Sequence, residues 1–214
     1  MRHSVNSNLV LHSEEAYRGL QLMVSKGPLI REYLEVLYRV LHCAWSEYPR
    51  TWAVRVDLRF PAHGDYLNAD ACLTRFISSL KQKVKHDRSR AAANNVCFHD
   101  SRVRYVWARE FGMDGKPHYH VLLLFNRDAY HSLGHFDSPR ENMYQRITTA
   151  WASALDSGYD GAKGLAELAP NQEKDCKLLT GLPKVFYMAS YLCCRRWHRI
   201  ALSAEISLTY AVVQ

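Results

Sequence analysis

Residues 103–126 read VRYVWAREFGMDGKPHYHVLLLFN, and the parity of this stretch decides the fold. Two runs rich in Val, Leu, Tyr and Trp, 103–111 and 117–126, flank Gly112-Met113-Asp114-Gly115-Lys116, a pattern of two β-strands joined by a hairpin turn. A three-residue loop Met113-Asp114-Gly115, with Gly115 left-handed, pairs Gly112 with Lys116 and therefore Glu110 with His118. A two-residue turn at Asp114-Gly115 would set Glu110 against Tyr119 and turn its side chain to the other face. We expect the three-residue loop. Residues two apart on a strand share a face, so His118 and His120 project together while Tyr119 points the opposite way.

Upstream of the hairpin, the run Trp52–Phe60 alternates, with Val54, Val56, Leu58 and Phe60 on one face and Arg55, Asp57 and Arg59 on the other, which predicts a strand with one polar face. After the loop 61–68, apolar residues Leu73, Phe76, Ile77 and Leu80 recur at helical spacing and predict a helix from Ala69 to about Lys85, with a strongly basic tail through Arg90. Residues 14–45 carry helical spacing interrupted by Lys26-Gly27-Pro28, which predicts two helices. Downstream we expect a helix over 139–155, a short strand near 165–168, and a last helix from Lys184 to about His198 opened by Pro183. These elements predict an α+β fold in which helices pack on a central antiparallel sheet. Residues 1–48 would be an N-terminal helical appendage and 49–214 the working domain.

The chain has 214 residues, enough for one such domain and a small appendage but not for an additional motor domain. With 28 Lys+Arg against 21 Asp+Glu it carries a formal charge of +7, which mildly favours a polyanionic partner. Apolar residues make up 48% of it, too many for a disordered chain, yet its longest apolar runs, such as 121–125, fall far short of the roughly 18 to 20 residues of a membrane span. The polar N-terminal stretch does not read as a secretory signal, and a cytoplasmic protein is expected. Six cysteines at 43, 72, 97, 176, 193 and 194 include no Cys-x-x-Cys pair, so reduced thiols suit the chain better than a disulfide framework or a zinc site.

The chemistry concentrates on the hairpin. Glu110, His118 and His120 on one face form a two-nitrogen, one-carboxylate set with open positions, suited to Mg2+ or Mn2+ when a phosphate completes the shell. Asp57, on the polar face of the preceding strand, is either a fourth ligand, a partner behind the ligands, or a salt-bridge partner of Arg55 or Arg59. About seventy residues on, Tyr187 and Tyr191 lie four apart on the expected last helix and share a face, either as packing side chains or as a pair of presented phenols. Lys81, Lys83, Lys85, Arg88 and Arg90, together with Arg195, Arg196 and Arg199, are candidate phosphate contacts. Trp107 and Tyr119 fall on the face opposite the ligands and are assigned to core packing.

This combination of Glu110, His118, His120, Tyr187 and Tyr191 over about residues 51–200 resembles the HUH endonucleases, a superfamily of rolling-circle replication initiators, relaxases and certain transposases. The paired tyrosines are most similar to phage-type initiators, and 48–58 looks like prophage proteins of the YagK/YfjJ kind. The resemblance implies that the metal held by Glu110, His118 and His120 activates a phosphate in single-stranded DNA or an origin hairpin. Tyr191 or Tyr187 would attack it to leave a 5′-phosphotyrosine and a 3′-hydroxyl, and a host helicase and polymerase would then extend that end. Phage-type helices carry a lysine three residues after each tyrosine, where this chain has Ser190 and Cys194. A DNA-binding regulator with weakened catalysis, and a metal hydrolase that activates water without either tyrosine, are the rival readings.

Overall fold

The computed structural model describes residues 3, 6–62, 68–94, 98–112, 115–135, 141–162, 164–168, 181–194 and 199–202. It begins with short strands: β1 (Leu11–His12), β2 (Ala16–Tyr17), β3 (Leu20–Gln21) and β4 (Leu29–Ile30). β2 and β3 form a hairpin in which Tyr17 pairs with Leu20 across Arg18 and Gly19, both at positive φ (50° and 78°). Two consecutive left-handed residues match the twist of a two-residue hairpin and cannot occur inside a helix. The first of the two helices expected over 14–45 is therefore replaced by this hairpin and a single 3-10 turn at Val24–Lys26. The second is present as α1 (Arg31–Glu47), which buries Leu34, Leu37, Val40, Leu41 and Ala44.

There follow β5 (Thr51–Leu58), α2 (Ala69–Asn94), β6 (Arg104–Phe111), β7 (Pro117–Asn126), α3 (Met143–Ala154), α4 (Tyr159–Ala162), β8 (Ala166–Leu168), α5 (Leu182–Ser190) and β9 (Arg199–Leu202). The large sheet has the order β8-β5-β7-β6-β9, and every neighbouring pair is antiparallel. The α+β class and the central antiparallel sheet match the expectation. Gly112 and Lys116 pair through the Gly112 N–H (2.9 Å to Lys116 O), Gly115 has φ 74°, and Glu110 stands opposite His118, the register the three-residue loop requires. Met113 and Asp114 lie outside the described residues.

Side-chain alternation gives the sheet two different cores. On its back face Val54, Val56, Tyr119, Val121, Leu123 and Trp107 pack with Leu73, Phe76, Ile77 and Leu80 of α2 and with Ile147 and Trp151 of α3. On its front face Ala53, Val106, Ala108, Leu122 and Leu124 pack with α1 and with Val185, Phe186 and Ala189 of α5. The helix read from sequence as part of an N-terminal appendage thus forms a layer directly on the sheet. No helix among the described residues is long and apolar enough to cross a membrane.

The last helix ends earlier than its sequence pattern predicts. The Oγ of Ser190 accepts the Met23 N–H (2.8 Å) and donates to the Tyr187 carbonyl (2.7 Å), Tyr191–Cys193 tighten into a 3-10 turn, and Cys194 is extended and bridges Leu29. Nothing in the local sequence breaks the helix there. The N-terminal segment packed across its end does so.

Candidate metal centre

The hairpin register and the β5–β7 register together build the site. Glu110 faces His118 across β6 and β7, and Asp57 faces His120 across β5 and β7, all on the front face. Glu110, His118 and His120 each offer one ligand atom, and these atoms lie within 4.8 Å of one another. Glu110 Oε2 is 2.7 Å from His118 Nε2 and 3.2 Å from His120 Nε2. In an octahedral shell with bonds of about 2.1 Å, adjacent ligand atoms sit about 3 Å apart, so the donor set fits Mg2+ or Mn2+. His120 is 7% exposed, whereas the Glu110 side chain is 37% exposed, which leaves the open positions toward solvent beside the carboxylate.

Asp57 is not a fourth member of this cluster. Its Oδ1 lies 2.7 Å from His120 Nδ1, on the far side of the ring from Glu110. With its proton on Nδ1, His120 donates to this carboxylate and keeps the Nε2 lone pair for a metal, the orienting contact that metal-bound histidines commonly have. Arg55 grips the same carboxylate through Nε (3.0 Å) and Nη2 (2.9 Å), while Arg59 pairs instead with Glu167. Burial raises the Asp57 carboxyl, but the hydrogen bond from His120 and the charge and hydrogen bonds of Arg55 outweigh it and hold it below the usual carboxylate range.

The two tyrosines stand in different surroundings. The Tyr191 ring meets the His120 ring edge-on with centroids 6.0 Å apart, and the Arg55 guanidinium lies 4.6 Å from the Tyr191 centroid. Its hydroxyl is buried. Burial pushes the phenol well above its ordinary value, Asp57 and Glu110 push the same way, and Arg55 opposes them. Tyr187, one turn earlier, is 41% exposed. The place of Arg55 between the orienting carboxylate and a tyrosine is the feature that sequence reading missed. Its parity with Asp57 on β5 was visible, but nothing in the sequence put Tyr191 above it.

The basic residues lie elsewhere. Lys81, Lys83, Lys85 and Arg88 are on α2, which packs on the back face, so the sheet separates them from the triad. Arg88 is held by Asp87 and by the Tyr130 hydroxyl. Ser190 and Cys194 are buried, and each contacts the N-terminal segment, Ser190 through Met23 and Cys194 through the Lys26 carbonyl at 3.3 Å. Arg195 and Arg196 lie outside the described residues, as does the side chain of Arg199.

A family profile described as the YagK/YfjJ C-terminal domain matches residues 12–200. Two proteins of Escherichia coli strain K12 are similar along most of the chain. The uncharacterized protein YagK is 33% identical over 173 residues, which cover 77% of this chain and 81% of YagK. The uncharacterized protein YfjJ is 33% identical over 156 residues, covering 68% and 74%. No solved structure matches the chain.

Proposed function

The chain belongs to the YagK/YfjJ C-terminal domain family, and we propose that it is a metal-dependent endonuclease that nicks and rejoins single-stranded DNA through a 5′-phosphotyrosine link, the reaction that starts rolling-circle replication. The observation that carries this reading is the convergence of Glu110, His118 and His120 with the Tyr191 ring set edge-on against His120.

Glu110, His118 and His120 would hold Mg2+ or Mn2+, which would withdraw charge from the scissile phosphate. The protein's own part is to orient. Asp57 fixes the His120 ring through Nδ1, Arg55 fixes Asp57, and the stacked guanidinium of Arg55 sets the Tyr191 ring beside the ligands. In the chemical step the Tyr191 Oη bonds to phosphorus and the bond to the 3′-oxygen breaks. The proton lost by the phenol balances the one gained by the 3′-oxygen, so one phosphodiester is exchanged for another and can be reversed for rejoining.

A second reading has a specific observation in its favour. The Tyr191 hydroxyl is buried and its ionisation is disfavoured, which suits a hydrolase that activates water at the triad and leaves both tyrosines as packing side chains. Incubating the full chain with end-labelled single-stranded DNA and Mn2+, followed by a denaturing gel, separates the two. A covalent protein–DNA species that is lost with chelator is the expected result. Free cleaved product without such a species supports the hydrolase, and no cleavage at all supports a DNA-binding regulator.

A further inference from the structure

We propose that the cleft between the second half of α2 and the segment entering β6 is a nucleic-acid site of its own, which seats a stretch of single-stranded DNA on the face of the sheet opposite the triad. The cleft has a volume of about 470 Å3, within the range of about 300–1,000 Å3 common for ligand pockets. Its walls carry Lys81, Lys85 and Arg88 on one side and Arg102 on the other, its floor is Val84 and Val103, and Phe98 stands at its lip.

The charge favours a polyanion. Asp87 and Tyr130 hold Arg88, which therefore builds the wall more than it adds charge. Lys85 is exposed, and Arg102 is 63% exposed with its carboxylate contact, Glu47, at 3.8 Å. Asp100, the carboxylate lining the cleft, turns an oxygen back onto the Ser101 N–H at 2.8 Å. Lys81, Lys85 and Arg88 follow one another along a single helical stripe over about 10 Å, longer than one phosphate group needs and suited to a run of them.

The apolar features choose the strand. Phe98, 39% exposed, is one of three large hydrophobic side chains that stand out among the described residues, and it does so at the mouth of a basic cleft. An aromatic face beside cations recognises an unstacked base, which a single strand offers and a duplex does not. Because α2 is on the back face, a strand seated here is held apart from the triad, so the cleft would retain DNA rather than cut it. This inference does not depend on the metal chemistry.

The test uses the full chain in chelator with a fluorescent oligothymidylate, read by anisotropy across a salt series. Combined Lys85→Glu and Arg102→Glu should weaken binding at least about tenfold at low salt and reduce the slope of log affinity against log salt by about one to two. Phe98→Ala should weaken it about tenfold. The circular dichroism spectrum and Tm should stay unchanged in both variants and serve as the check that the fold is intact. A 5-iodouracil oligonucleotide should crosslink to the peptide that holds Phe98. Unchanged affinity in the charge-reversed variant, or crosslinks confined to peptides of the triad, overturns the proposal. Retained oligonucleotide binding in chelator together with no covalent adduct in the separate Mn2+ assay would sink the nicking reading and leave this site standing.

Discussion

Carboxylates on the two faces of the sheet are surrounded in opposite ways. On the back face Asp87 accepts hydrogen bonds from Tyr130 (2.6 Å), Arg88 (2.5 Å) and Arg146 (2.5 Å), and Asp70 accepts them from Tyr119 (2.6 Å) and Arg109 (2.9 Å). In each set hydroxyl and guanidinium donors meet a carboxylate acceptor. On the front face Glu110 meets two imidazole nitrogens, and the Nδ1 proton of His120 is committed to Asp57. Each of the three groups in that cluster can offer a lone pair to a cation. The two faces therefore distinguish a structural polar network from a candidate metal centre.

The strongest way to break the comparison is to remove an imidazole. His118→Ala or His120→Ala should lower Mn2+ affinity more than about 100-fold and abolish cleavage, while oligonucleotide binding survives. Mn2+ titration followed by electron paramagnetic resonance, with anisotropy alongside, measures both. Equal loss of metal and DNA binding would make the histidines structural. Glu110→Gln should cost less, because two imidazoles remain.

The tyrosines come next, since one touches the front cluster and the other is exposed on α5. Tyr191→Phe should remove at least about 90% of the covalent adduct in a single turnover, whereas Tyr187→Phe should spare the first cut and impair rejoining or repeated rounds. Full adduct from the double Phe variant would eliminate the covalent mechanism. A smaller effect is expected from Asp57→Asn. The triad stays intact but its orienting carboxylate is gone, so Mn2+ affinity should fall about 10- to 100-fold. Unchanged affinity in a calorimetric titration would show that Asp57 serves only Arg55.

The fate of these residues also shows where sequence reading succeeds. Alternation and turn chemistry around Gly112–Lys116 place Glu110 with the histidines because strand parity is local, and the register follows it. Pairing between distant strands is not local. That Asp57 meets the far side of His120 depends on the β5–β7 register, and that α2 covers the back face depends on how the chain crosses the sheet. The apolar stripe of Leu73, Phe76, Ile77 and Leu80 says that α2 packs on something but not on which face. The sequence therefore names the lysines that follow it as phosphate contacts without placing them on either face of the sheet. The early end of α5 at Ser190 was also illegible, because it is imposed by Met23 and Leu29 from the other end of the chain.

On the back face the expected penalty falls on stability and not on metal. Burial raises the Asp87 carboxyl, but the Tyr130 hydrogen bond and the charges of Arg88 and Arg146 hold it below the usual range. A carboxyl with a lowered folded-state pKa contributes stability that is fully present above its unfolded value, about 4, and is lost as pH falls through the lower folded value. Asp87→Asn should cost about 2 kcal/mol at neutral pH, discounted from a fully buried pair because the side chain is 21% exposed. The gap from wild type should narrow as pH drops below about 4. Urea melts at neutral and acid pH measure both limbs, and a constant gap would remove Asp87 as the titrating group.

The smallest effect is the sharpest test, because it sits between the two metal ligands. Tyr119 separates His118 from His120 in sequence, yet its ring lies in the back core at 0% exposure, edge-on to Trp107, and its hydroxyl reaches Asp70. Tyr119→Phe keeps the ring and removes one hydrogen bond. Asp70 retains Arg109 and, with a side chain 40% exposed, can turn to water, so no buried charge is stranded. The cost should be about 1 kcal/mol, a fall in Tm of about 2–4 °C for a chain of this size. Mn2+ affinity should stay within about twofold of wild type, since the ring still packs and the β7 backbone that aims both imidazoles is unmoved. A tenfold loss of Mn2+ binding with so small a change in Tm would mean that the back-face hydrogen bond sets the front-face ligand geometry, and that the two faces act as one site.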